Sequence, residues 1–281
     1  MKREYLFFTH VLKAGGTTVE AALRRALGIR HMAVDPPTGW IYTAADFDFD
    51  RRLNPLASSF SSHWLRPFES FGSCDPAIRW YTMLREPIAR YRSHRQHHIE
   101  RFDSHRPFEE WAADPVLRNW QTRQIAGEED LLAAKQLLEG RYAVVGLLEE
   151  MERSLLLFRD VLRLPSLRAA RGEVHNRAFS SRLRAELQEE FERHAGLVRE
   201  YNALDLELYD FAARTLFPTQ VRAYGEERME RDLARAGSNP AGMLDRVRAG
   251  TQLIYRRGIQ LPVASLRRRS ELRRGRPDLR R

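Results

Sequence analysis

Apolar residues fall along this chain in two kinds of run, and their alternation predicts the fold class. Tyr5 to Val11 (YLFFTHV), Ile78 to Leu84 (IRWYTML) and Tyr142 to Leu148 (YAVVGLL) are short, nearly continuous apolar stretches. That is the pattern of strands buried on both faces of a parallel sheet. Between them the period lengthens to that of a helix. From Thr17, TTVEAALRRALG puts Val19, Ala22, Leu23 and Ala26 on one stripe, with Thr17 or Thr18 as cap and Gly28 as stop. Arg85-Glu86-Pro87 brings a proline to the first turn of a helix over about 88–101. Residues 107–139 read as helices broken at Asp114-Pro115 and Gly127, and the third strand leads into a helix with Met151, Leu155, Phe158 and Val161 on one face. Ser180 or Ser181 caps a long helix to about Tyr201, and residues 203–216 form another. Residues 35–58, with PP, TG and a DFDFD run, lack a helical period and read as loop with at most one short strand. Strand, glycine turn, helix is the opening unit of an α/β fold with a mainly parallel sheet.

After Pro218 the character changes to more charge and few aromatics, with Gly-Ser-Asn-Pro at 237–240, so a boundary is set near 218. A main domain over 1–217 and a charged extension over 218–281, helical and basic with an Arg-rich tail, fit the 281 residues. The net charge is +9, but residues 262–281 carry eight arginines against Glu271 and Asp278. The basic excess is therefore largely a property of that tail, and no specific nucleic-acid partner is expected of the main domain. The tail reads as a solvated, disordered extension, with peripheral contact to an anionic surface as the other reading. Cys74 is the sole cysteine, which excludes an intrachain disulfide. With neither a signal-like segment nor a span-length apolar run, a soluble cytoplasmic protein is expected.

The chain has three lysines against forty-four arginines, and one of the three, Lys13, stands just before a double glycine in FFTHVLKAGGTT (7–18). A turn between a parallel strand and a helix start gathers free N–H groups at the positive end of the helix dipole. Gly15 and Gly16 let the backbone approach an anion, Lys13 adds a charge, and Thr17 and Thr18 add hydroxyls. The stretch suits a phosphate; the plainer reading is a tight turn with a solvated lysine. The order is neither that of a Walker A loop nor of a dinucleotide fingerprint. In YTMLREPIARYRSH, Arg85 ends a strand, where open α/β sheets hold ligands, and Arg90 and Ser93 share one face of the next helix. An arginine fork and a serine hydroxyl suit a second phosphate.

Together, H-x-x-K-x-G-G-T-T and, some seventy residues on, T-M-L-R-E-P-x-x-R-Y-x-S resemble the two nucleotide-binding signatures of sulfotransferases, in particular the carbohydrate branch with the heparan sulfate 6-O- and 2-O-sulfotransferases. SSHWLRP (61–67), RNWQTRQIAG (118–127), YAVVGLLEEME (142–152) and REYNALDLELYDFAARTLF (199–217) continue the similarity through nearly all of 1–217, leaving 218–281 outside it. The family often has Pro and Thr where this chain has Leu12 and Ala14. The resemblance implies a P-loop-like three-layer fold, flanked by helices on both faces of the sheet. It also implies PAPS (3′-phosphoadenosine 5′-phosphosulfate) as sulfuryl donor with PAP as product, no metal, and a hydroxyl-bearing acceptor such as a saccharide. By the same resemblance, the backbone and side chains of Lys13, Ala14, Gly15, Gly16, Thr17 and Thr18 hold the 5′-phosphosulfate, and Arg85 with Ser93 holds the 3′-phosphate. Lys13 then also offsets charge on the leaving group, and His63 in SSHWLRP is the base.

Other candidates stand beside these. His10, within the first strand, reads as a core histidine or a support for the loop. His94, His97 and His98 lie on one helix with no cysteine partner, and read as a solvated face or a wall for an anionic acceptor rather than a metal site. Gln121 and Arg123 fall in the family's N-x-Q-T-R-x-x-x-G stretch, which approaches cofactor or acceptor; ordinary helix surface is the equal alternative. Trp64 and Trp120 suit stacking on a ring or simple core packing. His175-Asn176-Arg177 sits where the family closes a segment over the nucleotide. The alternatives to a sulfotransferase are a P-loop-type kinase or NTPase, and a non-catalytic binder of anionic polymers led by the tail.

Overall fold

The computed structural model describes residues 3–102, 105–167, 181–236 and 242–274. Five parallel strands form its centre: β1 (Tyr5–Thr9), β2 (His31–Ala33), β3 (Ser59–Ser62), β4 (Ile78–Leu84) and β5 (Tyr142–Leu147), in spatial order β2-β3-β1-β4-β5. Helices flank the sheet: α1 (Gly16–Leu27), α2 (Ala44–Leu53), α3 (Pro87–Phe102), α4 (Phe108–Ala112), α5 (Trp120–Ala126), α6 (Leu131–Gly140) and α7 (Met151–Val161). Then follow α8 (Ser181–Arg193), α9 (Ala195–Glu200), α10 (Ala203–Phe211), α11 (Phe217–Tyr224), α12 (Glu226–Ala236), α13 (Met243–Tyr255) and α14 (Leu261–Arg273). This is the expected α/β fold with a helical C-terminal region. No described helix is long and apolar enough to cross a membrane.

The alternation of side chains along β1 sorts the core into two layers. Phe7 meets Phe47 of α2 at 5.1 Å and Trp80 of β4 at 5.1 Å, both edge to face. Phe8 points the other way, to Tyr81 at 5.1 Å, which in turn meets Phe158 of α7 at 5.3 Å. All of these rings are buried, and such offset and edge-on pairs add to the area they bury.

Several elements differ from the sequence expectation. The DFDFD run is helix α2, not loop: Thr43 and Asp46 form a capping box, and Phe47 anchors the helix to the sheet. β2 and β3 were not foreseen. SFSS is buried at all four positions because its hydroxyls find partners: Ser59 with His31 at 3.0 Å, Ser61 with Glu20 at 2.8 Å. Neither Thr17 nor Thr18 caps α1; the cap is Gly15, left-handed at φ 82°, with no side-chain hydrogen bond. The long helix ending at Tyr201 is divided at His194 into α8 and α9. The alternative cap Ser180 lies outside the described residues.

The chain beyond 217 folds back on both sides of the sheet. A π-helical turn over Ala212–Leu216 joins α10 to α11. From α11, Gln220 pairs with both backbone groups of Val145 on the outer strand β5, at 2.8 and 2.9 Å. On the opposite edge, Gln252 and Gln260 give their side-chain amides to the carbonyls of His31 and Ala33 of β2, at 3.4 and 2.5 Å. A second π-helical turn, Arg256–Gln260, follows Gln252 and ends on Gln260, re-phasing the helix so that both glutamines meet the strand. Arg267 of α14 bonds Asp46 at 2.6 Å. Through residue 274 the basic segment is thus helical and tied to the sheet domain, contrary to the expectation of a disordered extension; 237–241 and 275–281 lie outside the described residues.

Candidate functional site

β1 lies between β3 and β4, so successive connections leave it in opposite directions, and a crevice opens beyond its carboxyl end. The register pairs Thr9 with Thr82, which brings the turn after β1 level with the turn after β4. The first turn holds Lys13 to Thr18, the second Arg85.

Hydrogen bonds within the first turn leave a gap. Ala14 N–H reaches Val11 O and Thr18 N–H reaches Gly15 O, while among the described residues the N–H groups of Gly15, Gly16 and Thr17 meet no backbone acceptor. Gly15 must be glycine twice over: its φ is 82°, and a Cβ would stand 2.6 Å from Leu148 Cδ1. A Cβ on Gly16 would lie 1.9 Å from the His10 ring. Ala14 is buried, so position 14 offers backbone only. The Lys13 backbone is itself left-handed, φ 65°, which costs a non-glycine residue about 1–3 kcal/mol. Arg85 holds it, donating from Nη1 to the Lys13 carbonyl at 3.0 Å.

That contact sets two cations side by side. Burial first, and then the Arg85 guanidinium, lower the Lys13 ammonium below its ordinary value, with Glu100 opposing. Burial likewise lowers Arg85, with Glu149 and Glu86 acting against it. Among the described residues Lys13, Thr17, Thr18 and Ser93 make no side-chain hydrogen bond or ion pair. Ser93 is half-buried on α3.

Gln121 closes a pair of hydrogen bonds with the Arg85 backbone, at 3.0 and 2.9 Å, and is itself held by Asp205, which accepts from the N–H groups of Gln121 and Thr122. Gln121 therefore positions Arg85 through the protein interior. Arg123 turns away, to the Pro115 carbonyl and Glu129, each at 3.2 Å. It sits with the surface reading, apart from the two turns.

The third component stands beside the first turn. His63 donates from Nδ1 to the His10 carbonyl at 2.7 Å, which leaves Nε2 with the lone pair. Gln124 secures this arrangement by donating to the carbonyls of His10 at 2.9 Å and His63 at 3.1 Å. Burial and the neighbouring His10 push His63 down to about 3, so the ring is neutral near pH 7. The His10 ring lies 4.0 Å from that of His63 and donates from Nδ1 to Glu20 at 3.2 Å. Burial alone would raise Glu20, but its bonds to His10 and Ser61 hold it well below the usual carboxylate range. His10 is thus a fixed support under the loop, matching its core reading.

The α3 histidines have packing roles. His94 is buried against Trp120, 5.1 Å away, and 3.5 Å from Arg90; His98 accepts from Trp111 Nε1 at 2.9 Å. No group of three or more His, Cys, Asp or Glu able to hold a metal ion occurs among the described residues. Arg90 is fully buried, and among the described residues its Nε and Nη2 have no partner; burial lowers it to about 10. Trp120 packs in this layer, while Trp64 meets Trp40 at 4.5 Å. His175, Asn176 and Arg177 lie outside the described residues.

Sequence reasoning missed Glu20, Gln124 and Asp205. Gln124 carried a signal, one turn from Gln121 on the same helix; Glu20 and Asp205 carried none, since their partners are distant in sequence. No family model matches this chain, and no curated protein matches it.

Proposed function

We propose that this protein is a PAPS-dependent sulfotransferase acting on a hydroxyl group, as its resemblance to the carbohydrate sulfotransferases implies. The observation that carries the reading is the Arg85–Lys13 contact, which joins the two phosphate-type motifs, far apart in sequence, at the carboxyl end of adjacent strands. Lys13 stands there in one turn with three N–H groups and the hydroxyls of Thr17 and Thr18 that find no partner among the described residues. Arg85 reaches it from the neighbouring turn, and Ser93 lies on α3, the helix that follows Arg85. Such a donor set suits a ligand with several anionic oxygens.

PAPS would supply an activated sulfuryl group whose departure leaves a bisphosphate. Lys13 and the N–H groups of Gly15 to Thr17 suit the neutralisation of charge growing on the leaving oxygen, as in phosphoryl transfer, where catalysis is mainly positioning and charge stabilisation. Arg85 and Ser93 would grip the second phosphate, with Gln121 as the brace behind Arg85. His63, neutral and with Nε2 free, would take the proton from the attacking hydroxyl. The resemblance also carries the expectation of a saccharide-type acceptor, and the reaction requires no metal.

Titration with PAP, ATP and duplex DNA tests the assignment, followed by incubation with labelled PAPS and an extract of host glycans and metabolites. Tight PAP binding with transfer of label supports it. ATP binding in preference to PAP would overturn it in favour of a kinase or NTPase, and DNA binding alone in favour of a polymer binder.

A further inference from the structure

Beside His63 lies a cavity of about 440 Å³, within the roughly 300–1,000 Å³ typical of small-molecule sites. One side is built by the sheet domain, with His10, Glu20, Ser61 and His63 in its lining. The other wall comes from the π-helical turn and from α14, through Arg256, Gln260, Leu261 and Arg267. This wall belongs to the segment outside the family resemblance. It is fixed in place by the hydrogen bonds of Gln252 and Gln260 to β2 and of Arg267 to Asp46, and Arg267 also lies over the Phe49 ring at 4.3 Å.

The charges around the cavity are not equally engaged. Glu20 is occupied by His10 and Ser61, Arg267 by Asp46, and Asp50 by the Tyr42 hydroxyl at 2.7 Å. Arg256 is half-buried, and among the described residues its Nε has no partner and its guanidinium forms no ion pair. A part-buried guanidinium without an anion is costly, so a ligand that brings one gains a charge-assisted contact.

Resting on the sulfotransferase reading, we propose that this cavity is the acceptor site. Its occupant is a small hydroxyl compound, about one or two sugar rings in size, bearing a carboxylate or phosphate that pairs with Arg256. The C-terminal wall stands where an open cleft would be needed for a long polysaccharide, so residues 256–268 select for size as well as for charge.

Calorimetric titration of the full chain without PAPS tests this, using glucuronic acid, glucose 6-phosphate, glucose and a long uronic-acid polysaccharide as probes. One or both small acids should bind at least roughly tenfold tighter than glucose and than the polymer per site, the two acids distinguishing carboxylate from phosphate. Arg256→Gln should abolish the preference over glucose, Arg256→Lys should keep part of it, and PAP affinity should stay unchanged in both. With labelled PAPS, Arg256→Gln should raise KM for the small acid and leave kcat near wild type. Equal binding of glucose and both acids, an undiminished preference in Arg256→Gln, or binding of the polymer alone would overturn the proposal. If Arg256→Gln does not fold, the wild-type preference and Arg256→Lys decide. Failure of PAP to bind would instead remove the sulfotransferase reading, while the acid titrations still report on the cavity.

Discussion

Gly16 and His10 occupy one space, and the consequence is measurable. A methyl group at Gly16 would stand 1.9 Å from His10 Cδ2 and 2.0 Å from Nε2, so Gly16→Ala must drive the ring from its seat. Forcing extra volume into a packed site costs about 1–3 kcal/mol. Moving the ring also breaks its charge-assisted hydrogen bond to Glu20, which costs about 1–3 kcal/mol more even with Ser61 still bonded to that carboxylate. Against this, alanine is favoured over glycine within a helix by about 0.5–1 kcal/mol. The expected net loss is about 2–4 kcal/mol. In a His10→Ala background there is no ring to displace, and Gly16→Ala should be neutral or stabilising by up to about 1 kcal/mol. A double-mutant cycle by urea unfolding, with slopes checked for equality, should therefore give a coupling of about 2–5 kcal/mol. At roughly 2–4 °C per kcal/mol the single mutant's melting point should drop by several degrees. An equal cost for Gly16→Ala in both backgrounds would refute the steric argument and imply that the glycine is needed for some other reason.

Lys13→Ala should lower turnover by roughly 10² or more while the fold survives; normal turnover would remove that loop from the site. Arg85→Ala should cost about 2–4 kcal/mol in PAP affinity. Because Arg85 also braces the Lys13 carbonyl, the analogue lacking the 3′-phosphate should weaken too, but by less; equal losses in isothermal titration would make Arg85 purely structural. His63→Ala should keep PAP affinity and lose roughly 10²–10⁴ in rate, and normal turnover would mean another group is the base. His31 is buried and pushed down to about 4 by burial, so the unfolded chain binds its proton first as pH falls. Its contribution is full above about pH 6.5 and is lost on descending toward 4. Removing it by His31→Asn should flatten the stability–pH slope near pH 5 by up to about 1.4 kcal/mol per pH unit, and an unchanged slope would contradict this.

The three apolar strands were legible because both faces of each are covered, so composition alone marks them. β3 was not, since SFSS is buried through satisfied hydroxyls rather than through apolar surface, and such a segment looks like loop. α2 was hidden by its aspartates, one of which, Asp46, is a cap. In the site, Lys13, Gly15, Gly16 and Arg85 were legible as chemistry at a strand end, but the left-handed Lys13 backbone and the Arg85 brace beneath it depend on a contact across the sheet. Gln252, Gln260 and Arg256 were not singled out, because no local pattern reports what a helix will lie against.

The glutamines on the two outer strands bear on how this chain is made. A parallel sheet with both borders open presents rows of unpaired backbone groups, a template for joining a second chain. Here the covering side chains, Gln220 on one border and Gln252 and Gln260 on the other, all leave the ribosome after every strand. At roughly 5–20 residues per second, the β2 border stays bare for several seconds once residue 217 has been added. Nascent chains crowded on one message are then at their most adhesive, and recombinant versions that stop near 217 would keep that adhesiveness permanently.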